Sequence, residues 1–254
     1  MILTIDHGPV RELRLNRPPA NALSPELITV LKQAVEAAPQ EGVRGLVLSG
    51  SPGRFSGGLD VPLLLTLDRA TMNGVWRDFY GLLRTLACSP VPIAAAITGH
   101  APAGGTVLAL FCDWRIAAGG DWKIGLNEVQ VGLPLPPVIY SALQRLVGAR
   151  QAARLAVGGL LVSPAESLSL GLVDEVVPAE QVVERAVKWC QEWLALPSVA
   201  MTRTRREARA DLTALFEQNL PGEVEEISGW WWDEQVQSVL RSLVERLAKK
   251  KQAG

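Results

Sequence analysis

Apolar residues recur along this chain in two rhythms, an alternation and a helical spacing, with uninterrupted apolar runs between them. The β-rich runs at 2–6 and 10–15, split by His7-Gly8-Pro9, predict a hairpin. Ser24-Pro25-Glu26 offers an N-cap and a proline at the first helical position, opening a helix that runs to about Ala38. Gly45 to Ser49 is a continuous apolar run, the pattern of a buried strand, and a glycine-rich loop from Ser51 to Asp60 follows. Apolar spacing then predicts helices over 61–69 and 71–88. The unit repeats with variation. Val91 to Ala96 is a second buried strand, Gly99 to Gly105 a second glycine-rich loop, and Thr106 to Phe111 a helix. Strands at Asp113–Ala117 and Trp122–Ile124 come next, so the order is that of an α/β fold with parallel crossovers.

From Pro136 onward the rhythm is helical, interrupted by an edge-like strand at Asp174–Val177, with Gly158-Gly159 and Gly171 closing helices. Pro197 marks a boundary between a core of residues 1–196 and a helical region of 197–254. Helices near 199–219 and 222–250 are expected there. Trp230, Trp231 and Trp232 cannot all face inward from one helix. At least one ring is expected at a subunit contact or ligand tail, or as a core side chain left partly exposed.

Composition narrows the functions. The 254 residues are 48% hydrophobic and 20% charged, which suits one large domain with a buried core. A net charge of -1 implies no general attraction to nucleic acid or anionic membrane, and Lys249-Lys250-Lys251 reads as a solvated helix end. Cys88, Cys112 and Cys190 have neither metal-like spacing nor an even count, so buried thiols in a reducing compartment are expected, with no metal. No apolar run reaches a membrane span, and the chain opens directly on a strand pattern without a signal peptide. A cytoplasmic protein is expected, a mature mitochondrial matrix protein being the other choice.

Two loops carry the chemistry. Phe55-Ser-Gly-Gly-Leu-Asp60 and Gly99-His-Ala-Pro-Ala-Gly-Gly105 each follow a buried parallel strand, and ligands bind at the carboxyl ends of such strands. Glycine lets the chain turn sharply and leaves backbone N–H groups unpaired, and the second loop opens a helix whose first amides are free. Two such amides aimed at one point make an oxyanion hole. Glu128, in Ile124-Gly-Leu-Asn-Glu128, is the nearby carboxylate; alone it would read as a solvated loop residue.

These two loops, with Cys112-Asp113, resemble the crotonase (enoyl-CoA hydratase/isomerase) superfamily, over nearly the whole chain from Asn16-Arg-Pro-Pro-Ala-Asn-Ala-Leu23 onward. Gly125–Gly132, Pro102–Asp113 and the tail from Leu240 to Lys251 are most similar to the mitochondrial-type Δ3,Δ2-enoyl-CoA isomerases. The resemblance implies a spiral of ββα turns with a helical C-terminal trimerisation region. It implies a homotrimer or dimer of trimers acting on an acyl-CoA thioester, with coenzyme A as part of the substrate and no separate cofactor. The N–H groups of Leu59 and Gly104 would hold the thioester oxygen. Ser56, Gly57, Gly58, Asp60 and Asn127 would border the acyl-CoA, with Ala22 near its adenine.

One position departs from the hydratases of that superfamily, which carry a first glutamate three residues after the oxyanion glycine. Here that position is Val107, on the same helical face one turn later, and valine moves no proton. Glu128 therefore stands as the single catalytic carboxylate, and the reaction implied is a double-bond shift in fatty acid β-oxidation. The alternatives are another crotonase-type acyl-CoA reaction, such as hydration, or a non-catalytic acyl-CoA-binding scaffold. Apolar surroundings, Val107 included, are expected to raise the pKa of Glu128. Asp60 is expected to cap a helix or brace a loop, Asp113 to brace backbone and His100 to make a structural hydrogen bond. Cys112 is expected to pack, and His7 carries no signal. Arg17, Arg54 and the C-terminal lysines are the candidates for the CoA phosphates.

Overall fold

The computed structural model describes residues 1–217 and 220–252. β1 (Ile2–His7) and β2 (Val10–Leu15) form the expected antiparallel hairpin. α1 (Pro25–Ala37) follows, its first turn capped by the Ser24 hydroxyl, which accepts the Leu27 amide at 3.2 Å. β3 (Gly45–Ser49) then lies parallel to β2, and β4 (Gly53–Arg54) begins a second sheet. After α2 (Val61–Leu64) and α3 (Arg69–Ala87), β5 (Ile93–Ile97) returns to the first sheet beside β3. β6 (Gly99–Pro102) pairs with β4 in the second. α4 (Gly104–Leu110), β7 (Trp114–Ala118) and β8 (Ile124–Gly125) repeat the cycle. Each turn gives one strand to each sheet, and the chain winds as a spiral of ββα units.

The rest is helical: α5 (Pro137–Gly158), α6 (Pro164–Leu170), α7 (Val182–Leu194), α8 (Ser198–Ala208), α9 (Ala210–Ala214), α10 (Leu220–Trp231) and α11 (Glu234–Gln252). Between α6 and α7, β9 (Glu175–Val177) closes the large sheet, whose order is β1-β2-β3-β5-β7-β9. The small sheet runs β4-β6-β8.

Side chains alternate across a strand, and the central strands are covered on both faces, which is why they read as unbroken apolar runs. Leu46, Leu48, Ile93, Ala95 and Ile97 enter the main core with α1 and α3, while Val47, Ala94, Ala96 and Ile116 enter a second core under α7. Beyond Pro197 the chain is tied back into the main core by charge. Arg205 and Arg209 both bind the carboxylate of Asp113, at 2.8 and 3.0 Å, and Asp113 also accepts the Ile93 amide at 2.8 Å. Asp113 thus braces backbone, as expected, and anchors two later helices as well.

Several expected elements are redrawn. The helix over 61–69 stops at Leu64, because Asp68 caps a new one by accepting the Thr71 amide at 2.8 Å. The first half of the loop at 99–105 is a strand, since β4 and β8 satisfy its backbone on both sides. The strand near 122–124 is confined to Ile124–Gly125. The helix over 199–219 breaks at Arg209, and residues 218–219 lie outside those described. That over 222–250 breaks at Asp233, which caps α11 by accepting the Gln235 amide at 2.9 Å. Cys88 is exposed rather than buried. Of the three tryptophans, Trp231 is fully buried with its ring 5.7 Å from that of Trp76; Trp230 and Trp232 are half-buried, and Arg69 lies over Trp232. The side chains of Lys250 and Lys251 lie outside the described residues. Among the described residues no helix is long and apolar enough to cross a membrane.

Candidate active site

The turns after β4 and β6 touch. A Cβ built on Gly58 would stand 3.1 Å from the Gly104 nitrogen, and one on Gly104 3.1 Å from the Gly58 Cα, so side chains would push the turns apart. Gly58 also takes φ 83, a conformation that side chains disfavour. Ala103 adopts φ 48 and ψ -122 despite its methyl group, a strained turn that delivers Gly104 as the first residue of α4. An amide there has no acceptor within its own helix. Leu59 is held from behind by a parallel bridge to Leu23. The Leu23 amide donates to Gly58 O at 2.8 Å, and the Asp60 amide donates to Leu23 O at 3.1 Å. In that pattern the N–H of Leu59 itself points away from Leu23.

Glu128 begins a single 3-10 turn, Glu128–Val131, after Asn127. Its Oε2 is shut away from solvent and has no hydrogen-bond partner; Asn127 Oδ1 is in the same condition. Burial pushes the Glu128 carboxyl up from 4.5 to about 7, as the apolar surroundings led one to expect.

Glu128, Asn127, Leu59, Gly57 and Gly104 line one cavity of about 290 Å³. Val107 lines it too, 1% exposed, on the inner face of α4. The remaining wall is almost wholly apolar, with Trp76, Phe79 and Tyr80 from α3, Ile227 from α10, and Leu243 and Leu247 from α11. Glu128 is the only carboxylate in that wall among the described residues. The periodicity of the late helices predicts an inward face, but which cavity it covers depends on how α11 folds back across α2 and the Glu128 turn.

Ala22, Ser56, Gly58 and Asp60 lie outside the wall. Ser56 is fully buried and its hydroxyl is used internally, donating to Asn21 O at 2.8 Å and accepting the Gly58 amide at 3.2 Å. Its side chain braces the loop. Asp60 accepts the Leu63 amide at 3.2 Å as the cap of α2 and pairs with Arg17 at 2.6 Å. Arg17 also donates to the carbonyl of Ala22 at 3.2 Å, so this candidate for phosphate binding is already engaged. Arg54 is exposed. His100 accepts the Lys123 amide at 3.1 Å, a structural bond. Cys112 is buried and pushed up to about 12 by burial, so it packs as an inert thiol. Among the described residues, no group of three or more His, Cys, Asp or Glu side chains is placed to hold a metal ion.

A ββα spiral whose paired turns face a buried carboxylate across an apolar cavity is the arrangement of a crotonase fold. The chain belongs to the enoyl-CoA hydratase/isomerase family, whose model matches residues 6–252. It is 34% identical over 245 residues to human mitochondrial enoyl-CoA delta isomerase 1, covering 95% of this chain and 81% of that protein. It is also 35% identical over 206 residues to a probable enoyl-CoA hydratase, echA17, of Mycobacterium avium, covering 81% and 78%. The crystal structure of human mitochondrial Δ3-Δ2-enoyl-CoA isomerase superposes with a TM-score of 0.93 at 34% identity, over 98% of this chain and 99% of that one.

Proposed function

We propose that the protein is a Δ3,Δ2-enoyl-CoA isomerase in which Glu128 alone carries the proton. The observation that carries this reading is a cavity wall with one carboxylate among the described residues, Glu128, and with Val107 where a hydratase would hold its first glutamate. Hydration needs water activated and a proton placed, which asks for two groups. A double-bond shift needs one. The Glu128 carboxylate removes a proton from C2 of a 3-enoyl-CoA, and the electron pair released at C2 is shared between the thioester oxygen, through C1, and C4, through the C3–C4 double bond. The N–H groups of Leu59 and Gly104 stabilise that oxygen, each such donor being worth roughly 2.7–4 kcal/mol. Neutral Glu128 then gives its proton to C4, leaving the conjugated 2-enoyl-CoA. A pKa near 7 suits both halves of this exchange, since the group takes and returns a proton with little bias. The apolar wall excludes water that would compete for the intermediate.

Gly57 and Asn127 border the thioester end in this reading, with Ala22 beside the adenine. The resemblance also implies a role in fatty acid β-oxidation and assembly as a homotrimer or dimer of trimers; light scattering measures the latter directly. The activity itself is tested by adding a 3-enoyl-CoA and following the absorbance of the conjugated thioester. Robust hydration of a 2-enoyl-CoA by the unaltered protein would overturn the single-base reading. No turnover of any enoyl-CoA would leave a binding scaffold.

A further inference from the structure

Asn21 is the most connected side chain behind the two turns. It is 1% exposed and takes φ 49, a left-handed conformation that asparagine tolerates better than most residues. Its Nδ2 faces Phe55 O at 3.1 Å, Arg54 O at 3.3 Å and the Ser51 hydroxyl at 3.4 Å. Its Oδ1 accepts the Arg17 amide at 2.9 Å, and its own carbonyl accepts the Ser56 hydroxyl at 2.8 Å. The orientation of the amide is forced, because backbone carbonyls only accept and the Arg17 N–H only donates. One residue thereby joins segment 17–23 to segment 51–58 through both ends of its side chain. Segment 17–23 ends at Leu23, whose bridge to Leu59 leaves the Leu59 amide pointing away from Leu23, and Leu59 lines the cavity. The Ser56 hydroxyl that binds Asn21 O also takes the Gly58 amide, the residue against which Gly104 packs.

We propose that Asn21 is a positioning residue of the oxyanion hole, holding the Leu59 N–H in register with that of Gly104. This rests on the assignment of those two amides to the thioester oxygen. Asn21 touches no part of the cavity, so its effect is transmitted through Leu23 and Ser56. Misplacing a donor weakens it in the transition state more than in the bound substrate, so the loss falls on kcat.

Asn21→Asp keeps the shape, the left-handed tolerance and the acceptor for Arg17, but sets a carboxylate oxygen against Phe55 O and Arg54 O. Asn21→Gly keeps the backbone conformation and removes the side chain, and serves if the aspartate variant does not fold. The measurements are kcat and KM on a 3-enoyl-CoA, and the carbonyl stretch of a bound saturated acyl-CoA labelled with 13C at the thioester carbon. We expect kcat to fall about 10–100-fold with KM within about twofold, and the bound carbonyl stretch to move back toward its value in water. A folded variant with wild-type kcat and an unshifted carbonyl band, whatever its melting temperature, would reduce Asn21 to a merely structural residue and overturn the proposal. If wild-type protein isomerises the substrate but leaves the bound carbonyl stretch at its value in water, the Leu59–Gly104 assignment itself fails, and this inference with it.

Discussion

Gly58 and Gly104 lie in backbone contact, so close that a methyl group on either would meet the other's chain at 3.1 Å. They come from turns 46 residues apart in sequence (104 − 58); Gly104 and Leu59, the residue after Gly58, both line the cavity. The contact holds the two turns together, and an added side chain on either glycine would force them to shift by a few tenths of an ångström.

Gly58→Ala is therefore expected to separate activity from folding. The new methyl group would stand 3.1 Å from both Ala103 Cβ and Gly104 N, so these must shift by a few tenths of an ångström, and the residue is also forced to hold φ 83. Loss of one well-placed donor should lower kcat about 10²–10³-fold. Steady-state isomerisation with a parallel circular dichroism spectrum checks this; a folded variant with near-normal kcat would show that the turns need not touch.

Glu128→Gln should lower kcat about 10²–10⁴-fold, the usual worth of such a group, since an amide neither takes nor returns a proton. Wild-type kcat/KM should rise with pH through about 7 and level off above it, because the working form is the carboxylate. A flat profile between pH 5 and 9 (roughly the range of an ordinary assay) would count against Glu128 as the base.

The same group sets a stability trade-off with a definite sign. The Glu128 carboxyl titrates at about 7 when folded against 4.5 ordinarily, so between those values the folded protein keeps a proton that the unfolded chain has released. Stability therefore declines as pH rises through this window, by about 3 kcal/mol once above it. Glu128→Gln should accordingly be more stable than wild type at pH 8 and no more stable near pH 4.5. Urea unfolding midpoints at the two pH values test it.

Val107→Glu would place a second carboxylate in the wall that Glu128 shares. Like charges raise each other's pKa, so the rise of kcat/KM with pH should shift to higher pH, and isomerisation at pH 7 should fall about tenfold. Disappearance of 2-enoyl-CoA absorbance with this variant would show that hydration needs little more than the missing acid.

Asp113→Ala leaves Arg205 and Arg209 buried without a counter-charge, their side chains each only 7% exposed. Removing one partner of a buried ion pair typically costs about 3–5 kcal/mol. The unfolding free energy in urea should drop by that much, and the docking of α8 and α9 should loosen first by hydrogen exchange. A change below about 1 kcal/mol would mean that packing, not charge, holds the later helices.

Local chemistry by itself determined much of this protein. The hairpin around Gly8, the cap at Ser24, the apolar strand at 45–49 and the glycine turns are all legible because each depends on neighbours a few residues away. The same applies to the absence of an acid at Val107, which is visible in the sequence as a plain valine. The C-terminal breaks at Arg209 and Asp233 were not legible, since helical rhythm continues through both. Arg209 bonds instead to Asp113 and to carbonyls of α3, which only the folded chain brings near. Asn21 carries no local signal of its role either: its partners at 51–56 become neighbours only when the two segments dock. The raised pKa of Glu128 is likewise tertiary. A carboxylate in a loop is ordinarily solvated, and here α3, α4, α10 and α11 close around it and remove the water.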